Sequence, residues 1–111
     1  MAQTNKPLNV GQCSHRSISG WLPKRHLDSF FNLSAAEKVD LMILLDTAKD
    51  QVEKEFSPAS YNIGINDGPA AGQTIPHLHI HLIPRYNGDV PDPRGGVRWL
   101  IPDKADYWSN R

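Results

Sequence analysis

Cysteine is almost absent from this chain. Cys13 stands alone among 111 residues, so no internal disulfide can form, and a reducing, cytoplasmic setting fits. Long apolar runs are missing too. None approaches the roughly 20 residues of a membrane span, and Met1 to Val10 lacks the hydrophobic stretch of a secretory signal. Nor does one sign of charge prevail. Twelve basic and twelve acidic residues give a formal net charge of zero, which argues against a strongly basic nucleic-acid-binding domain. A small anionic ligand stays open, because local charge matters more to it than net charge. Internal repeats and low-complexity blocks are lacking. At this length one domain with a modest core is expected, and 39% hydrophobic with 22% charged residues is ordinary for a soluble globular protein.

What the chain does have is histidine at every second position. In Gly72-Gln73-Thr74-Ile75-Pro76-His77-Leu78-His79-Ile80-His81-Leu82-Ile83-Pro84-Arg85, three of the five histidines alternate with Leu78, Ile80 and Leu82. Period two predicts an extended strand. The aliphatic face goes to a core, and His77, His79 and His81 line the opposite surface.

Around this stretch the rest falls into order. Residues 1–16 are polar and aperiodic and read as a divergent or disordered arm carrying His15, with residues 17–111 as the domain proper. Ile18, Trp21 and Leu22 suggest a short strand ended by Pro23, and Lys24-Arg25-His26 a solvated basic turn. Ser34-Ala35-Ala36-Glu37 is a capping box opening a helix that runs to about Phe56, where Ser57-Pro58 stops it. Leu41, Leu44, Leu45, Ala48, Val52 and Phe56 form its apolar stripe. Val39, Met42 and Ile43 form a second patch, for a second subunit or for another segment of the chain. Ser60 to Asn66 alternates again, with Tyr61, Ile63 and Ile65 on one face and Asn62, Gly64 and Asn66 on the other. The glycine-rich Asp67 to Gly72 connects it to the histidines. Beyond Arg85 the chain turns irregular, with Trp99 to Pro102 as a short extended piece and a polar tail from Asp103.

Three readings of the histidine face compete. Three imidazoles are a known zinc set, but no carboxylate or cysteine punctuates the strand, and Asp67 is near only through a loop. Phosphoryl chemistry suits the face better. A neutral imidazole is a good nucleophile toward phosphorus near neutral pH, provided its other ring nitrogen has a partner. Asn62, Asn66, Gln73 and Thr74 supply neutral donors, and amides of the Gly68 to Gly72 loop are candidates for an anion nest. The third reading is a polar face without function.

His77-Leu78-His79-Ile80-His81-Leu82-Ile83 resembles the signature of the histidine triad (HIT) family. Asn66 to Thr74 is similar to the segment before the triad in the fragile-histidine-triad branch of diadenosine polyphosphate hydrolases. Pro84-Arg85 and Pro93-Arg94-Gly95-Gly96-Val97-Arg98 resemble small bacterial members, and Leu22 to His26 followed by Phe30 to Ser34 is similar to the family's stretch before its main helix. The likeness covers roughly residues 20–108. It implies an α+β fold, an antiparallel β-sheet with one long packed helix, in which the N-terminal hairpin is missing or divergent. It also implies a homodimer. In the chemistry it implies, His79 attacks the α-phosphorus of a nucleotide, a covalent nucleotidyl-histidine forms, and water releases a nucleoside monophosphate. His77 and His81 orient His79 and contact the phosphate. Asn66, Gln73 and Thr74 bind substrate, with Thr74 beside the leaving group. No cofactor and no protein-held metal is implied, although magnesium can accompany the substrate.

One departure stands out. A gapless alignment puts Ile18 where the family has a fourth histidine that orients the nucleophile, and residues 1–16 do not look like its usual hairpin. An enzyme acting on dinucleoside polyphosphates or nucleoside phosphoramidates is therefore weighed against a catalytically impaired nucleotide-binding or interaction protein. The expected partner is a small-molecule nucleotide, with no nucleic acid and no membrane.

Overall fold

The computed structural model describes residues 27–109, together with the backbone of two short strands, β1 (Asn9–Val10) and β2 (Ile18–Ser19). β1 and β2 pair antiparallel, Asn9 opposite Ser19 and Val10 opposite Ile18. A two-residue ribbon thus occupies part of the segment where a missing or divergent hairpin is expected. His15, Trp21, Leu22, Pro23 and Lys24-Arg25-His26 lie outside the described residues.

The capping box forms as its residue types dictate. The Ser34 hydroxyl accepts from the Glu37 amide at 3.1 Å, and the Glu37 carboxylate accepts from the Ser34 amide at 2.7 Å. Two otherwise orphaned donors at the helix start are satisfied by this exchange. Helix α1 then runs Ala35–Phe56 and ends at Ser57, which takes a left-handed conformation at φ 45° with its amide on the Glu53 carbonyl. Pro58 follows and is buried.

β3 (Ser60–Gly64) and β4 (His81–Arg85) make an antiparallel pair, with Ile63 opposite Leu82 and Gly64 opposite His81. The expected strands are longer than the observed ones. Ile65 and Asn66 lie beyond β3, and residues 72–80 carry no strand pairing of their own. The reason is hydrogen-bond supply. The chain leaves β3 at Gly64 for the Asp67–Gly72 turn, Pro76 has no amide hydrogen, and the Leu78 amide goes instead to the Leu27 carbonyl at 3.0 Å. Alternation nevertheless persists through the unpaired part: Leu78, Ile80 and Leu82 are buried, while His79 and His81 are half-buried and His77 exposed.

That alternation places the core. Leu78 and Ile80 pack with Leu27, Leu33 and Leu41, with Phe30, Leu45 and Ile65 against them. Leu82 packs with Ala48 and Val52, with Leu45, Phe56 and Tyr61 around them. Leu45 joins the two clusters, so the stripe of α1 meets the aliphatic side of the triad segment along its length. Each fully buried leucine contributes about 1.5–3 kcal/mol relative to exposure. The histidines are left on the side away from the helix. Val39, Met42 and Ile43 are exposed.

The C-terminal segment differs from its expectation. Instead of an extended piece, residues Gly96–Leu100 and Pro102–Lys104 form 3-10 turns, started by Gly95 at φ 94° and Gly96 at φ 50°. The expected polar tail is a packed return. Ala105 is fully buried, and Trp108 lies edge-on to both Trp99 and Tyr107 with the Arg94 guanidinium 4.9 Å from its ring centre. The Arg98 guanidinium sits 4.8 Å from the Tyr107 ring. These contacts join residues far enough apart in sequence that local pattern does not announce them.

Candidate active site

The three histidines open onto a shallow cleft of about 180 Å³, lined by Asn66, Gly72, Gln73, Thr74, Ile75, His77, His79 and His81. His77, His79, His81, Asn66, Gln73 and Thr74, six of the residues singled out from the sequence, therefore meet in one place. β4 supplies His81, the extended residues just before it supply His77 and His79, and the turn after β3 supplies the others. Gly64 lies across from His81, and a side chain built there would meet nothing within 4 Å. The expected space beside the triad is present.

His79 is held by backbone. Its Nδ1 lies 2.8 Å from the carbonyl oxygen of His77. A carbonyl only accepts, so Nδ1 carries the proton, and in the neutral ring the lone pair sits on Nε2. The tautomer is thus set without a second imidazole. Burial, and next the neighbouring charge of His79, push the His81 pKa below its ordinary value. Both effects keep His81 neutral beside His79.

Gln73 makes a three-way clasp. Its Oε1 accepts from the Gly68 amide at 2.7 Å, and its Nε2 donates to the Asp28 carbonyl at 2.8 Å and to the His77 carbonyl at 3.3 Å. Asp67 makes a second tie. Its carboxylate accepts from the Ser29 hydroxyl at 3.1 Å and from the Phe30 amide at 2.9 Å. The loop after β3 is thereby fastened to the chain entering α1.

Two expectations are corrected. The glycine-rich loop is not an anion nest, because the amides of Gly68, Ala71 and Gly72 are used within the turn. Gly68 N–H goes to Gln73, Ala71 and Gln73 N–H to the Gly68 carbonyl, and Gly72 N–H to the Pro69 carbonyl. Asn62 is not at the cleft either. Its Oδ1 accepts from Arg85 Nη1 at 2.6 Å, and Arg85 in turn forms a two-pronged pair with Asp89 at 2.7 and 2.8 Å. That pairing holds the Asp89 carboxyl well below the usual carboxylate range.

Three features of the site have no direct signal in the sequence. The His77 carbonyl is backbone. The Ser29–Asp67 tie joins residues 38 apart in sequence. Ile75 is an exposed apolar residue beside the triad, and it interrupts no period. Among the described residues, no lysine or arginine lines the cleft, and no group of three or more His, Cys, Asp or Glu side chains is placed to hold a metal ion. No helix among them is long and apolar enough to cross a membrane.

Comparison with known proteins agrees with this geometry. The HIT domain model matches residues 21–88. The bis(5'-nucleosyl)-tetraphosphatase [asymmetrical] of Schizosaccharomyces pombe is 41% identical over 71 residues, covering 64% of this chain and 39% of that protein. The bifunctional bis(5'-adenosyl)-triphosphatase/adenylylsulfatase FHIT of Arabidopsis thaliana is 40% identical over 67 residues, covering 60% of this chain and 37% of that one. Among solved structures, the NitFhit protein of Caenorhabditis elegans superposes with a TM-score of 0.59 at 39% identity, covering 71% of this chain and 18% of that chain. A HIT family protein from Bacillus anthracis does so with a TM-score of 0.61 at 25% identity, covering 78% and 66%. The chain spans less than half the length of these curated relatives. With its triad on one cleft, its helix-backed antiparallel pair and a family match over more than half its length, the chain belongs to the HIT family.

Proposed function

We propose that the chain is a nucleotide hydrolase or transferase acting at the α-phosphate of a dinucleoside polyphosphate or a nucleoside phosphoramidate. The observation that carries this is the His79 ring, proton on Nδ1 toward the His77 carbonyl at 2.8 Å, which leaves Nε2 with its lone pair in a cleft shared with His77, His81, Asn66 and Thr74. His79 Nε2 attacks the α-phosphorus. The bond from phosphorus to the leaving oxygen or nitrogen breaks, that atom takes its electron pair away, and a nucleotidyl-histidine remains. Water then attacks phosphorus, and the histidine departs as a nucleoside monophosphate is released.

His77 and His81 contact the non-bridging oxygens, with His81 held neutral by its burial. Asn66, Gln73 and Thr74 line the substrate side, with Thr74 next to the leaving group. The lack of lysine and arginine in the described lining supports a substrate that brings its own cation, magnesium on the polyphosphate. Catalysis needs no other cofactor. The relatives named as tetraphosphatase and triphosphatase support the anhydride class. The exposed Val39, Met42 and Ile43 support a homodimer, and the single cysteine a cytoplasmic setting. Residues 1–16 act as a divergent arm on a domain of residues 17–111.

The test is hydrolysis of diadenosine tetraphosphate with magnesium by the full chain. Nucleoside monophosphate should appear, His79→Ala should lose essentially all turnover, and His77→Ala and His81→Ala should lose less. Turnover surviving in His79→Ala would refute the assignment. A second reading, a nucleotide-binding or interaction protein of the same family, is favoured by Ile18 at the position of the orienting histidine. It predicts nucleotide binding without product.

A further inference from the structure

Resting on Asn66 as a substrate ligand, we propose that Asp67 and Ser29 form a latch that positions Asn66 against the triad, so that Asp67 is a positioning residue for the reaction. Asn66 lines the cleft with the three histidines, yet little of the fold aims it. It is exposed, and its side chain takes no hydrogen-bond partner among the described residues. The strand pairing has ended two residues earlier, at Gly64 opposite His81. A side chain without a partner of its own points where its backbone sends it, so the neighbours of Asn66 decide. On one side Ile65 packs against the core cluster of Leu27, Leu33, Leu41, Leu78 and Ile80. On the other side is Asp67.

Asp67 is held from across the chain. Its carboxylate accepts from the Ser29 hydroxyl, 3.1 Å from each oxygen, and from the Phe30 amide at 2.9 Å. Ser29 in turn accepts from the Phe31 amide at 3.2 Å, so two partners orient its hydroxyl. Hydrogen bonds to a charged acceptor are the strong, direction-setting ones. The same short segment also reaches the triad. The Leu27 carbonyl takes the amide of Leu78, the residue between His77 and His79, at 3.0 Å. Residues 27–30 thus refer the two sides of the cleft to one another, the histidines through Leu27 and Asn66 through Asp67. Asp67 is not among the residues lining the cleft, so its influence on substrate runs through Asn66. With the latch cut, the peptide between Asn66 and Asp67 is free to turn, and the Asn66 amide leaves its place beside the phosphate oxygens.

A double-mutant cycle separates this role from simple support of the fold. Hydrolysis of diadenosine tetraphosphate with magnesium is measured for Asn66→Ala, Asp67→Ala and the two together. Each single change should lower kcat/KM by about 10- to 100-fold, as for a misplaced group. The pair should match Asn66→Ala alone to within about 2-fold, because the latch then has nothing to position. Ser29→Ala cuts one bond of the latch and takes the place of Asp67→Ala in the cycle if that variant does not fold. Ser29→Thr keeps the hydroxyl and should turn over like the wild type. Losses that multiply in the pair would overturn the proposal, as would an unchanged kcat/KM when Asp67 or Ser29 is replaced by alanine. A second readout uses the free protein. The order parameter of the Asn66 backbone amide should fall from about 0.85 toward about 0.6 in the latch variant. If the wild type neither hydrolyses nor binds the nucleotide, that fall would sink the nucleotide reading and leave the latch standing. An unchanged order parameter would sink the latch.

Discussion

Asp67 is the most informative residue to remove for stability. Its carboxylate receives two donors, the Ser29 hydroxyl and the Phe30 amide, and both contacts lie in half-buried surroundings. Ser29 is itself the cap of the 3-10 turn Phe30–Asn32, accepting from the Phe31 amide at 3.2 Å. Asp67→Ala therefore removes two charge-assisted hydrogen bonds and loosens that cap. Hydrogen bonds to a charged group contribute about 1.5–3 kcal/mol each. Water reaches this site and replaces part of each one, so we expect a net loss of about 2–3 kcal/mol. In urea, with a slope of about 1–3 kcal/mol per molar, the midpoint falls by about 1 M at an unchanged slope. Asp67→Asn keeps an acceptor for Phe30 and recovers about half of the loss. The reasoning fails if Asp67→Ala unfolds within about 0.5 kcal/mol of the wild type, the range of an ordinary surface substitution.

Two further outcomes follow from other parts of the fold. At Gly95 the backbone has φ 94°, and an added Cβ would lie 3.0 Å from both Trp99 and Trp108 and 3.2 Å from the Ala105 carbonyl. Gly95→Ala should cost about 1–3 kcal/mol and shift tryptophan emission to the red as the C-terminal return lifts; unchanged emission and midpoint would contradict the packing. His81 has a lowered pKa in the folded chain because of burial and then His79. The unfolded chain binds the proton first, so its contribution makes stability rise with pH from the lowered value up to about 6.5. His81→Asn should flatten that part of the urea-midpoint profile, and an undiminished slope in the variant would place the titration elsewhere.

Much of the site was legible because period two is a strong constraint. Once Leu78, Ile80 and Leu82 needed a core, His77, His79 and His81 had only one side left. The capping box at Ser34 and Glu37 and the stop at Ser57-Pro58 are equally local, and they appear as read. What was not legible depends on where backbone hydrogen bonds go. Nothing in Gly68 to Gly72 says that its amides close on the loop itself instead of facing an anion, and nothing in Gln73 says that its amide clasps three backbone groups. The strand ends escape the pattern for the same reason, since alternation reports which side is buried and not whether a neighbour is present to pair. Asn62 belongs to the other end of the pair because Arg85, 23 residues on, claims its oxygen. The C-terminal return depends on contacts of Gly95 with two tryptophans, and no periodicity carries that.

The central claim is that His79 Nε2 becomes covalently nucleotidylated. The most direct measurement is to mix the full chain with diadenosine tetraphosphate and magnesium, quench within the first turnover, and map the modified peptide by mass spectrometry. The account predicts an adenylyl group on His79 in the wild type and none in His79→Ala. Product formed with no adduct at any quench time, or an adduct on His77 or His81 instead, would contradict it.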